Sequence, residues 1–201
     1  DKNQIIILAV VIGFVLVVGG YFAYKLLYIT PKNETAVAEM YRAQIQFERD
    51  SFALALLNPG GGHDGFLDII ENYKGTKAAN LSKYYAGISY LNLGQYQAAI
   101  DFLQDYRAKG EVTPIMKTGA IGDAYAELGD FDKAIAQYRK ASAMKDNELL
   151  SAYYLKKLGM LLERQGDTKG SLEAYQKIKK QFPTSAEGAD IDKYIARVEG
   201  K

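Results

Sequence analysis

Cysteine and tryptophan are absent from this sequence of 201 residues, which has four prolines and a single histidine, His63. Without cysteine the chain can form no disulfide bond, no thiolate metal site and no lipid attachment to a cysteine. One histidine excludes the histidine-pair metal motifs and leaves no second imidazole for a proton relay. We therefore expect no metal ion, no cofactor and no enzyme activity.

An excess of charge of one sign is absent as well. The chain has 25 basic and 24 acidic residues. Three of the basic residues and one of the acidic residues lie in residues 1–32, so residues 33–201 contain 22 basic and 23 acidic residues. Proteins that bind nucleic acid present a basic face, and no sustained basic stripe occurs here. The glycine run at residues 60–62 lacks the Lys-Ser or Lys-Thr pair of a phosphate-binding loop. We expect neither nucleic acid nor a small-molecule substrate as a partner.

The most prominent feature that is present is an apolar run from Ile5 to Tyr24, with no charge and no proline. Its 20 residues would form a helix of about 30 Å, the thickness of a hydrocarbon core. A secretory signal peptide has a shorter apolar core of about 7–15 residues, so we predict a single transmembrane span. Gly13 and Gly19 each lie four residues from an alanine, a spacing found at helix contacts in lipid and also in spans without them.

The downstream end of the span is rich in aromatic residues, which prefer the headgroup region. We predict that the anchor helix continues to Ile29 and ends before Thr30 and Pro31, because the residue ahead of a proline avoids the helical conformation. Orientation stays open at this point. Two lysines downstream of the run against one upstream favour a cytoplasmic location for the rest of the chain, and a basic segment ahead of Asp1 would reverse this.

Three glycines mark an internal repeat. Gly94, Gly129 and Gly166 are spaced by 35 and 37 residues, and each stands in a turn. Before each turn come a glycine and then a tyrosine or leucine. After each turn come a small residue and then a leucine or tyrosine. These matching residues are Gly87, Gly122 and Gly159; Tyr90, Tyr125 and Leu162; Ala99, Ala134 and Ser171; and Leu103, Tyr138 and Tyr175. Small residues let two helices approach closely, and large ones fill the space between them.

This pattern resembles the tetratricopeptide repeat, a pair of antiparallel helices with a period of about 34 residues. We predict an all-α fold in which a transmembrane anchor over residues 1–32 precedes a helical solenoid over residues 33–201. The solenoid is predicted to contain a degenerate unit at 33–79, three repeats at 80–113, 115–148 and 152–185, and a cap at 186–199. A cap is expected because stacked repeats leave a final apolar face.

The degenerate unit is predicted to have a long first helix from Thr35 to Leu57 and a second helix from Phe66 to Tyr73. A loop rich in glycine would join them over residues 58–65. The cap is predicted to be one amphipathic helix over residues 186–198.

In tetratricopeptide proteins the first helices of successive units line a concave groove that binds peptides or partner helices. The resemblance places these residues in such a groove: Leu81, Tyr84, Ile88 and Leu91; Met116, Gly119, Asp123 and Ala126; and Tyr153, Lys156, Met160 and Glu163. Tyr84 and Ile88 replace the lysine and asparagine that some members use to bind a terminal carboxylate. We therefore expect an apolar groove suited to hydrophobic segments. In a second interpretation, Ile88 and Leu91 pack against the degenerate unit instead.

A single N-terminal span followed by a short repeat domain with a degenerate first unit resembles the ancillary subunits of the Sec translocon, the YfgM-like proteins. The resemblance extends over nearly the full chain. It implies a bacterial inner-membrane protein with periplasmic repeats, which acts by scaffolding and holding and contacts a periplasmic chaperone or emerging polypeptides. Its implied partners are the translocon channel subunits, a membrane-anchored peptidyl-prolyl isomerase and emerging polypeptides. Two alternatives remain: a cytoplasm-facing targeting receptor and a self-assembling membrane scaffold.

Overall fold

A computed structural model describes residues 2–144 and 147–200 of the chain. All regular secondary structure in these ranges is helical, which confirms the predicted all-α fold. A π-helical turn, Lys25–Ile29, lies between α1 and α2. The α-helices are α1 (Lys2–Tyr24), α2 (Thr30–Glu48), α3 (Phe52–Leu57), α4 (Phe66–Asn72), α5 (Lys77–Asn92), α6 (Tyr96–Asp105), α7 (Thr113–Glu127), α8 (Phe131–Ala143), α9 (Glu148–Arg164), α10 (Thr168–Gln181), α11 (Ala186–Ala189) and α12 (Ile191–Glu199).

The chain divides into two compact units, Asp1–Tyr85 and Ala86–Lys201, with the boundary inside α5. In the first unit, α1, the π-helical turn and α2 form one continuous helix, Lys2–Glu48. Its apolar part is long enough to cross a membrane, and α1 has no buried residue. This helix is the candidate membrane span that the sequence predicts.

The prediction that the anchor helix ends before Thr30 and Pro31 is wrong. Thr30 has helical backbone angles (φ −65°, ψ −53°), and Pro31 lies in the first turn of α2. A proline ring inside an α-helix collides with the carbonyl group four residues earlier. Here the backbone N–H of Thr30 and its hydroxyl both donate to the Lys25 carbonyl, the hydroxyl at 3.0 Å. The wider π-helical turn thus accommodates the ring without ending the helix.

The predicted long helix from Thr35 to Leu57 is also wrong, because the chain turns after Glu48 and α3 folds back on α2. Asp50 has a positive φ of 57°, and the Ser51 N–H closes the turn by donating to the Gln46 carbonyl at 2.8 Å. Reversal brings the rings of Phe47 and Phe52 to 5.5 Å, whereas a straight helix would leave the apolar residues of α3 in solvent.

Helix α2 runs along the first part of α5. The Asn33 side chain accepts the Ala78 N–H at 3.0 Å, and so it caps α5 from a neighbouring helix. Farther along, the Gln44 side chain donates to the Tyr85 hydroxyl at 3.3 Å. The ring of Tyr85 also stacks on that of Phe66 at 4.9 Å. The candidate membrane helix and the start of the first repeat helix therefore belong to one packed unit.

The three turn glycines in the second unit have the same backbone conformation. Gly94, Gly129 and Gly166 have φ values of 73°, 77° and 82°, which glycine adopts without strain. After each of them the next N–H donates to the carbonyl five residues earlier, at 2.9 Å in all three turns. Asp130 and Asp167 then cap α8 and α10 with their side chains. The regular spacing of these glycines in the sequence thus corresponds to helices that end in the same way.

The predicted pairing of small and large residues occurs inside each helix pair of this unit. The contacts are Gly87 with Leu103, Gly122 with Tyr138, and Gly159 with Tyr175. A Cβ atom on these glycines would stand 2.5, 2.8 and 2.4 Å, respectively, from the facing side chain, closer than any normal contact. Glycine is therefore required for the two helices to approach this closely.

The cap is not one helix over residues 186–198 as predicted, because it breaks at Asp190 between α11 and α12. Ser185 caps α11, and the chain then turns so that α12 presents Ile191, Ile195 and Val198 to the core of the second unit. One uninterrupted helix could not follow the different directions of α11 and α12. Helix α12 covers Tyr175 and Ile178, the apolar side of α10.

We predict that Gly122→Leu destabilises the second unit. The added side chain must displace Tyr138, and overpacking of this kind costs about 1–3 kcal/mol or more. Thermal unfolding of the full chain in detergent, followed by circular dichroism, should show a Tm lowered by about 2–4 °C per kcal/mol. Ala136→Leu on the exposed side of α8 is the control. A Gly122→Leu variant that melts like the control would contradict the repeat packing.

Candidate partner-binding surface

The predicted groove residues differ in how much surface they offer. On α5, Leu81, Tyr84, Ile88 and Leu91 are all partly buried. On α7, Met116 and Ala126 are partly buried. Gly119 is covered by Tyr154, whose ring would lie 1.9 Å from an added Cβ atom, so it contributes no surface. The surface predicted from α9 is the most exposed.

Helix α9 carries a row of exposed apolar side chains. Tyr153 and Met160 are 40% and 48% exposed, and Lys156 lies partly buried between them. Leu149, which is 68% exposed, extends the row by one turn toward the start of the helix. Leu149 is not among the predicted groove residues, although its position four residues before Tyr153 places it on the same helix face. We call Leu149, Tyr153, Lys156 and Met160 the α9 face.

The two acidic residues predicted for the groove are both paired within the protein. Asp123 on α7 accepts a hydrogen bond from the Tyr138 hydroxyl and one from Lys157 Nζ on α9, both at 2.7 Å. Lys157 also lies 5.1 Å from the centre of the Tyr153 ring. This cation is therefore held by a carboxylate and an aromatic ring beside the α9 face.

The same arrangement recurs one repeat later. Glu163 on α9, whose side chain is 10% exposed, accepts two hydrogen bonds from Arg197 on α12, at 2.9 and 2.6 Å. The Tyr175 hydroxyl donates to it at 3.2 Å. In both places an acid on a first helix joins the tyrosine of its own repeat to a base farther along the chain, on α9 in one case and on the cap helix α12 in the other. The aligned tyrosines were visible in the sequence, but the acid and the base of each arrangement lie 34 residues apart.

These contacts shift the pKa values of Tyr138, Tyr175 and Lys157 away from neutral pH. Burial, reinforced by Asp123, raises the pKa of Tyr138 far above its ordinary value. Burial and Glu163 do the same to the pKa of Tyr175. Burial alone would lower the pKa of Lys157, but Asp123 and Tyr153 together outweigh it and the pKa is raised. Near pH 7 the tyrosines are therefore neutral donors and the lysine is charged, which is an arrangement for holding helices together.

The remaining predicted positive charge of the groove is also engaged. Lys156 Nζ lies 4.8 Å from the centre of the Tyr194 ring on α12, and Arg197 lies at the same distance from that ring. The α9 face therefore presents apolar side chains next to charges that already have partners. Within residues 2–144 and 147–200, no group of three or more His, Cys, Asp or Glu side chains is placed to hold a metal ion.

His63 is fixed in the loop before α4. Its Nδ1 lies 2.8 Å from a carboxylate oxygen of Glu39 on α2. Gln46 on α2 also donates to the Pro59 carbonyl at 3.0 Å. These two contacts attach both ends of the glycine run to the long helix.

The predicted anchor residues lie along α1. Ile5 and Tyr24 are 68% and 55% exposed, and an added Cβ atom at Gly13 or Gly19 would meet nothing within 4 Å. Tyr24 stacks on Tyr28 with ring centres 5.4 Å apart. The apolar face of α1 is thus uncovered by the rest of the chain.

Comparison with protein families identifies the helix pairs. Residues 82–109 and residues 120–186 each match a family described as tetratricopeptide repeat. The chain contains tetratricopeptide repeats. Both matches lie in α5 and the helices that follow it, where the glycine contacts occur, which confirms the predicted repeat. Comparison with curated proteins finds no significant match. These repeats are protein-binding modules, so the matches indicate an adaptor or scaffold that binds other proteins.

We predict that Tyr138 and Tyr175 cause the stability of the fold to decrease at alkaline pH. The pKa values of both side chains are raised above the ordinary tyrosine value of 10.0, so stability is intact below pH 10 and falls above it, where these tyrosines ionise only in the unfolded chain. We expect urea unfolding to show that the free energy of unfolding falls less between about pH 9 and about pH 11 for Tyr138→Phe than for the wild type. Tyr41→Phe, at a site 61% exposed, is the control. Equal losses of unfolding free energy in all three proteins would contradict this assignment.

Proposed function

We propose that the chain is a membrane-anchored adaptor without a catalytic role, in which residues 1–32 form a single-span anchor and residues 33–201 form the protein-binding domain. The observation that carries this proposal is the α9 face, a row of exposed apolar side chains on a protein-binding repeat. Exposed apolar rows of this kind mark interaction sites, because burial against a partner removes them from water.

The chemistry of the α9 face favours hydrophobic segments as ligands. Lys157 and Glu163 are already paired with Asp123 and Arg197, so a ligand need not bring a charge to satisfy them. Methionine and tyrosine side chains tolerate varied apolar partners, since thioethers are flexible and aromatic rings offer large contact areas. An unfolded or emerging polypeptide presents such segments.

Within this class we propose an accessory subunit of the Sec translocon in the bacterial inner membrane, with the repeats in the periplasm. The support is the resemblance in architecture to the YfgM-like proteins together with the uncovered apolar surface of α1. In this role α1 contacts the channel subunits, and the repeats bind emerging polypeptides and a membrane-anchored peptidyl-prolyl isomerase. A cytoplasm-facing targeting receptor and a self-assembling membrane scaffold are the alternatives.

We predict that the translocon channel subunits co-purify with the full chain from native membranes in mild detergent, as measured by quantitative mass spectrometry. Recovery of the chain alone, or with copies of itself, would favour the self-assembling scaffold.

Polypeptide binding by the repeats is tested separately with Met160→Glu. An apolar side chain buried at an interface contributes about 1.5–3 kcal/mol, so the yield of cross-linked translocating polypeptide should fall about tenfold or more. Leu128→Glu is the matched control, since Leu128 is 47% exposed, as Met160 is 48%, and lies in the turn before α8. Helical content should stay unchanged in both variants. An equal yield in the two variants would rule out the α9 face as the polypeptide site.

Orientation is tested with Gln176→Cys, because the natural chain has no cysteine and Gln176 is exposed on α10. In intact spheroplasts, a membrane-impermeant maleimide should label this variant as fully as it does after lysis. Labelling that appears only after lysis would establish the cytoplasm-facing receptor and exclude the periplasmic assignment.

A further inference from the structure

A second recess lies in the same unit, away from the α9 face. Helices α8 and α10 both pack on α9, and a cleft of about 200 Å³ opens between them. It exists because small residues stand on the facing walls: Ser142, Ala143, Gly170 and Ala174. Since a water molecule takes about 30 Å³ of liquid, the cleft is far larger than a single hydration site.

The floor of the cleft is apolar. It is formed by Leu155, Leu158 and Leu162 of α9. By helical spacing these three leucines lie on the side of α9 opposite Tyr153 and Met160. The cleft therefore uses none of the residues of the α9 face, and an occupant there leaves that face free.

The rim of the cleft is basic. Arg139 from α8 and Lys177 from α10 line it, with Glu173 as the acidic member. In the part of the chain that the structure describes, neither Arg139 nor Lys177 makes an ion pair. The sequences of α8 and α10 together contain seven basic and two acidic residues, although the whole chain has a formal net charge of only +1. Of these basic residues, Arg139 and Lys177 lie at the opening itself.

We propose that this cleft is a second docking site, which takes an apolar side chain of a partner protein flanked by carboxylates. The apolar side chain covers the leucine floor, and the carboxylates pair with Arg139 and Lys177. Arginine suits this role because its guanidinium group binds a carboxylate through two hydrogen bonds. A recess with an apolar floor fits a single projecting side chain, which a flat lipid surface does not present. The site goes beyond the proposed function and does not depend on the translocon assignment.

The test uses the full chain in zwitterionic micelles with its leucine methyl groups labelled for NMR. The probes are two heptapeptides, Gly-Asp-Glu-Leu-Glu-Asp-Gly and Gly-Lys-Lys-Leu-Lys-Lys-Gly, titrated to millimolar concentration. We expect the acidic peptide to shift the methyl signals of Leu155, Leu158 and Leu162, with an affinity about tenfold or more above that of the basic peptide. Absence of shifts with the acidic peptide would overturn the proposal.

Charge reversal sharpens the test. Arg139→Glu with Lys177→Glu should invert the preference, so that the basic peptide binds more tightly. Lys140→Glu with Lys180→Glu makes the same change in net charge at exposed positions of α8 and α10 outside the cleft, and should keep the original preference. An equal effect of the two pairs would overturn the proposal, because it would show diffuse attraction to a basic surface.

Two further measurements separate the remaining outcomes. Ala143→Leu fills the cleft without changing its charge and should weaken binding of the acidic peptide, whereas Ala136→Leu, elsewhere on α8, should leave that binding unchanged. Vesicles of phosphatidylglycerol provide the lipid comparison. Leucine shifts that vesicles produce and that the Arg139 and Lys177 changes abolish would replace the peptide site with a lipid site.

Discussion

The close approach of two helices at a glycine is the contact on which the rest of the second unit depends. At Gly122 and Gly159 a tyrosine of the following helix lies 2.8 and 2.4 Å from where a Cβ atom would be, so any larger residue would push the two helices apart. This close approach places each tyrosine hydroxyl within reach of an acid on the first helix, Asp123 or Glu163. The polar links between repeats therefore follow from an apolar constraint inside each repeat.

Those polar links also determine what the surface offers a partner. Because Asp123 holds Lys157 and Glu163 holds Arg197, charge near the α9 face is balanced before any ligand arrives. Unpaired basic groups occur instead around the cleft between α8 and α10. One repeat pair thus has two surfaces of different chemistry, separated by the thickness of α9.

Local patterns predicted the elements well and their ends poorly. The glycine period predicted the helix pairs, since glycine adopts the left-handed conformation of these turns without strain. Pro31 was expected to end the anchor helix, but a π-helical turn accommodates it. The break at Asp190 follows from apolar residues reaching a core formed by distant helices, and the chain turn after Glu48 brings Phe52 against Phe47. Of the candidate surface, Tyr153 and Met160 are exposed, Gly119 is covered, and Leu149 was missed.

The sequence by itself determined the apolar helix at the start of the chain and the tetratricopeptide repeats that follow, because hydrophobicity, helical period and glycine turns act over a few neighbouring residues. Only the tertiary structure decided which charges are paired, where helices stop and which side of α9 meets solvent. Those outcomes depend on side chains more than 30 residues apart, such as Asp123 with Lys157, whose meeting requires the packed helices to exist first.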